Sequence, residues 1–139
     1  MGQVVVMFKK NKYLITRFDY DRIIKIIAQI KPDDPCVKKI KDKLKKAKVI
    51  ESREIKPDVI TMNTRFRLKN LGNGARNEFI LVFPDQRAPE KNQVSIFDFL
   101  GTEVFCNTVG EVVPSANRDC FYLIENIIYQ PEAAGDYHL

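Results

Sequence analysis

Asp33 and Asp34 are the pair of residues whose types and spacing most directly offer chemistry. They stand side by side in Lys31-Pro32-Asp33-Asp34-Pro35, and adjacent carboxylates can supply the oxygen ligands that a hard cation such as magnesium takes. The same pair has a structural reading: Asp followed by Pro is a helix start, with Asp34 as N-cap, Pro35 at the first helical position and Asp33 shaping the turn. Seven lysines follow, at Lys38, Lys39, Lys41, Lys43, Lys45, Lys46 and Lys48, and could meet phosphates or carboxylates. Base reading in single strands usually needs aromatics among the basic groups, and none lies between Tyr20 and Phe66. Specific nucleic-acid recognition is therefore not expected, although the basic arm leaves room for non-specific contact. The one histidine, His138, rules against a His-based triad or an ordinary zinc site. Cys36, Cys106 and Cys120 form no CxxC pair and read as reduced, partly buried thiols. Phe97, Phe99, Phe105, Phe121 and Tyr122 could line a pocket, but aromatics at these spacings read as core. No cofactor is expected.

The acidic pair must be held by the segments around it. Tyr20, Ile23, Ile24, Ile27 and Ile30 fall on one helical face, as do Val37, Ile40, Leu44 and Ala47. The pattern predicts two amphipathic helices joined by a proline-bracketed turn, an antiparallel hairpin with Asp33 and Asp34 at its tip. Helix one should start at Asp19 or Asp21 and end near Ile30; helix two should end near Lys48, its late lysines facing the negative end of the helix dipole. Before the hairpin, 3–8 and 13–17 read as short strands or arms. Beyond Pro57 the period becomes strand-like. Strands are expected over 59–62, 64–71, 78–83, 109–113 and 119–129, the last the longest, with Gly72-Asn73-Gly74 as a hairpin turn. A single helix is expected over 96–106 despite Gly101. The fold class is α+β: a short N-terminal helical hairpin over 1–56, then an antiparallel sheet with one packed helix over 57–139.

Composition agrees with a globular chain of 139 residues, 45% hydrophobic, one domain or one domain with an appendage. No apolar run approaches the ~18 residues that span a bilayer, so no membrane contact is expected. The N-terminal apolar stretch precedes its lysines, the reverse of a secretory signal, so a cytoplasmic protein is expected. Residues 1–57 hold sixteen Lys and Arg against seven Asp and Glu, net +9, while 58–139 hold seven against eleven, net −4. Such a division points to a basic part facing an acidic partner or nucleic acid, or to a charged coat that keeps a hairpin soluble.

Several segments of the second half resemble a known family. Asp58-Val59-Ile60-Thr61-Met62-Asn63-Thr64-Arg65, Leu81-Val82-Phe83-Pro84 and Val109-Gly110-Glu111 are spaced as in the C-terminal domain of the Gre transcription elongation factors. Tyr129-Gln130-Pro131-Glu132-Ala133-Ala134-Gly135-Asp136-Tyr137 is similar to the tail of the Gre-like regulators of nucleoside diphosphate kinase. The resemblance covers 57–139 well and the hairpin in pattern only. It implies an FKBP-like fold for the second half, an N-terminal coiled coil, and docking on RNA polymerase at the rim of its secondary channel. In Gre factors, two acidic tip residues on a long coiled coil help hold magnesium for cleavage of backtracked RNA. Two departures stand out: Asp98-Phe99 replaces a small-residue–Pro pair, and Pro114-Ser115-Ala116 replaces a Pro-Gly-Gly turn.

The expected function is that of a bacterial transcription regulator, not an enzyme, which binds RNA polymerase near the secondary channel and competes with Gre-type factors. Arms of roughly 12 residues reach only ~18 Å at about 1.5 Å per residue, less than half of a Gre arm, so transcript cleavage is not expected. The alternative is cleavage through the tip carboxylates Asp33 and Asp34. A weaker third reading is a stand-alone nucleic-acid-binding module. Docking is assigned to Phe97, Asp98, Phe99, Leu100 and Gly101, with Lys38, Lys41 and Lys45 supplying electrostatic attraction. The oligomeric state is left open.

Overall fold

The computed structural model describes residues 13–31 and 33–139; the arm expected over 3–8 lies outside them. β1 (Leu14–Thr16) runs directly into α1 (Arg17–Ile27), and α2 (Pro35–Lys46) leads to β2 (Lys48–Ile50), which pairs parallel with β1. Thr16 caps α1, its Oγ1 accepting the Asp19 N–H at 3.0 Å, so neither Asp19 nor Asp21 is the cap. The hydroxyl satisfies that amide and leaves the Asp19 carboxylate to turn inward. The chain leaves helical geometry after Ile27, earlier than expected, through a turn at 28–30. α2 begins as expected: Asp34 Oδ1 accepts the N–H of Cys36 at 2.8 Å and of Val37 at 3.2 Å, with Pro35 at the first position. Val37, Ile40 and Leu44 are buried. On α1, Ile23 is buried while Ile24 stands exposed.

β3 (Arg65–Asn70), β4 (Arg76–Val82), β5 (Gln93–Ser95), β6 (Val112–Pro114) and β7 (Phe121–Tyr129) form a sheet in the order β5-β4-β3-β7-β6. Three pairings are antiparallel, but β4–β5 is parallel, so the sheet is mixed rather than wholly antiparallel. The period-2 pattern of β3 places Phe66 and Leu68 in the core, while Arg67 pairs across the strands with Glu78 at 2.9 Å. Asn70 Oδ1 gathers the N–H groups of Gly72 and Asn73, and Gly74 takes φ +76°, closing the β3–β4 turn. Residues 59–62 form no strand; Val59 makes an isolated bridge to Thr108.

The helix expected over 96–106 is only α3 (Phe99–Val104). Residues 93–95 join β4 instead, a turn at 96–98 follows, and Cys106 at φ +69° lies outside helical geometry. That turn folds tightly over Gly101. A Cβ there would lie 1.9 Å from the Ser95 carbonyl oxygen, which only glycine permits. The result is an α+β chain with a curled mixed sheet and few helices. One core cluster includes Ile15, Ile23, Ile40 and Leu44 alongside Phe66, Phe105 and Ile124, so the helices and the sheet bury apolar surface together.

Candidate partner-binding surface

The segment assigned to docking lies at the β5–α3 turn. Asp98 accepts from Arg87 Nε through both oxygens at 2.8 Å, and its Oδ2 also accepts the Ser95 N–H at 2.9 Å. The carboxylate thus shapes the turn as well as presenting charge. Phe97, Phe99 and Leu100 are half-buried, and Phe97 and Leu100 pack against the core cluster, so this apolar strip offers only part of its surface to solvent, while Gly101 is buried and serves close packing. The Lys39 ammonium stands 5.4 Å from the Phe99 ring centroid and pairs with Glu103 at 2.7 Å. Strip and basic helix are therefore neighbours.

Lys43 joins α2 to α3. Its ammonium donates to the carbonyls of Thr102 at 2.8 Å, Glu103 at 2.9 Å and Phe105 at 2.7 Å. These are the acceptors left at the end of a helix, satisfied here by a side chain from another element. Lys38 and Lys45 are exposed and Lys41 is half-buried. None of the three makes an ion pair with a described residue. Asp33 is exposed, and Asp34 is exposed but engaged as the cap of α2. Among the described residues no group of three or more His, Cys, Asp and Glu could hold a metal ion.

A second polar cluster seats α1 on the body. Asp19 is 1% exposed; it accepts the Met62 N–H at 3.0 Å and pairs with Arg22. Burial outweighs both contacts and raises its pKa to about 6. Thr61 Oγ1 donates to Glu132 at 2.7 Å, and Gln130 Nε2 donates to the carbonyls of Lys56 and Val59, both at 2.8 Å. Burial raises the Glu132 pKa as well. The tail thus folds back onto 56–61, and the Tyr129 hydroxyl donates to Asp136, which pushes its pKa up to about 12. Burial also drives the Cys106 thiol far above its usual range, so it stays protonated. The sequence reading did not single out Asp19, Arg22 or Lys43 in these roles. Thr16 three residues before Asp19 resembles a capping signature, but nothing local marks an inward carboxylate. All three depend on residues more than forty positions away.

This arrangement of a few short helices, a curled mixed sheet and a returning tail is a Gre-type fold. It matches the solved prokaryotic transcription elongation factor GreA/GreB from Nitrosomonas europaea with a TM-score of 0.76, at 22% identity, over 86% of this chain and 100% of that one. The chain belongs to the family of the regulator of nucleoside diphosphate kinase. It is 30% identical over 109 residues to the proteins of that name from Escherichia coli K12 and Shigella flexneri, covering 76% of this chain and 79% of each of theirs. No family model matches the chain. Among the described residues, no helix is long and apolar enough to cross a membrane.

Proposed function

We propose that the protein is a cytoplasmic, non-enzymatic transcription regulator that binds RNA polymerase near its secondary channel and competes there with Gre-type factors. The sheet domain, read as FKBP-like, docks through the strip at Phe97, Phe99 and Leu100. Lys38, Lys41 and Lys45 add electrostatic attraction, which favours encounter more than affinity. The observation that carries this reading is the length of the hairpin helices within a Gre-type fold. α1 and α2 have 11 and 12 residues, a reach of about 18 Å at roughly 1.5 Å per residue. A short coiled coil of that size occupies a channel mouth without delivering a metal to a buried active centre, and Asp34 is engaged at its own helix. Pull-down with core polymerase, with and without a Gre factor, tests the reading.

The exposed Asp33 beside Asp34 favours one alternative, stimulation of RNA cleavage in backtracked polymerase. That alternative predicts release of short RNAs from stalled complexes and its loss in Asp33→Ala.

A further inference from the structure

A groove of about 660 Å³ lies between α1 and the 83–86 segment, apart from the strip and lysines described above. Its size suits small-molecule ligands, which occupy clefts of roughly 300–1,000 Å³. Ile26 and Phe83 contribute apolar surface, and Arg22, Lys25 and Asn63 contribute donors. The donors already converge on one oxygen: Arg22 Nη2 at 2.9 Å and Asn63 Nδ2 at 3.3 Å both donate to the main-chain oxygen of Leu139. The guanidinium is held in place, 3.9 Å from the Phe18 ring centroid and 4.7 Å from that of Phe83. Arg22 Nε is buried and has no acceptor, an uncommon state for a donor. Asn63 is itself fixed at φ +66° by the turn before β3. The Arg22 charge is balanced by Asp19 behind it, whereas exposed Lys25 has no ion pair with a described residue. Among the described residues on the wall, Asp85 is the one acidic side chain, and His138 adds a titratable ring.

We propose that this groove binds a small acidic molecule, a carboxylate or phosphate monoester on an apolar body. Its oxygens take the position at Arg22 and Asn63 that the Leu139 oxygen holds. Lys25 neutralises the charge, and the body lies against Ile26 and Phe83. Binding therefore displaces the last tail residues from the groove.

The test uses the full chain labelled with ¹⁵N, following the Arg22 Nε–H and the Asn63 side-chain amide by NMR. Benzoate, phenyl phosphate and inorganic phosphate are titrated separately. Benzoate or phenyl phosphate is expected to shift both signals saturably, the tighter of the two telling carboxylate from phosphate, with inorganic phosphate about tenfold weaker. Lys25→Glu, at an exposed position outside the buried cluster, is expected to weaken the tighter probe about fivefold or more. No saturable shift at these two signals, shifts confined to the α2 lysines, equal affinity for inorganic phosphate, or an unchanged affinity in Lys25→Glu would each overturn the proposal. The readout does not involve polymerase, so it stands or falls separately from the docking reading.

Discussion

The carboxylate of Asp19 turns away from solvent beneath α1, and its pKa of about 6 against an ordinary 3.8 makes stability depend on pH. The folded state holds the proton more tightly than the unfolded chain between those values. The contribution is full below about pH 4 and is lost as pH rises through 6, a change on the order of 2–3 kcal/mol. Glu132, also raised by burial, acts in the same direction. Asp19→Asn should therefore flatten the fall in stability between pH 4 and 6, as followed by urea unfolding at stepped pH. An unchanged slope would mean that other groups set it. At the start of α2 the effect is local. Asp34→Ala leaves the Cys36 and Val37 amides without their acceptor and should cost about 1 kcal/mol in thermal unfolding, whereas Asp33→Ala should cost much less.

The junction of α2 with α3 rests on one ammonium among three carbonyls. Lys43→Met keeps the length of the side chain but removes the donors, and should lower stability by about 2 kcal/mol in denaturant titration; a neutral outcome would show that water replaces the ammonium fully. Gly101→Ala forces a methyl against the Ser95 backbone and should cost more than about 3 kcal/mol or prevent folding. These elements show where sequence reading succeeds and stops. The α2 start, the β3 alternation, the Gly-Asn-Gly turn and the long β7 are local patterns, set by neighbours within a few residues. The inward turn of the Asp19 carboxylate toward Met62, the shortening of α3 and the parallel β4–β5 pair are not. Each follows from contacts that only the folded chain brings together, as when Ser95 passes close over Gly101. For the candidate surface, the residue types were legible, but the half-burial of Phe97 and Phe99 and the burial of Gly101 were not.

At the scale of the whole molecule, helices and sheet share one core, and the tail returns to 56–61 through Gln130 and Glu132. The basic helix and the apolar strip are consequently presented from one connected unit, with Lys39 bridging them at Glu103 and Phe99. In the proposed role the unit binds through the strip and is attracted through its lysines, so Lys38→Glu combined with Lys45→Glu should weaken association with polymerase more at low salt than at high. The measurement that bears most directly on this account is retention of the purified protein on immobilised core RNA polymerase, with increasing amounts of a Gre factor added. The account predicts retention that the Gre factor displaces in proportion to its concentration. No retention, or retention unaffected by the competitor, would contradict it.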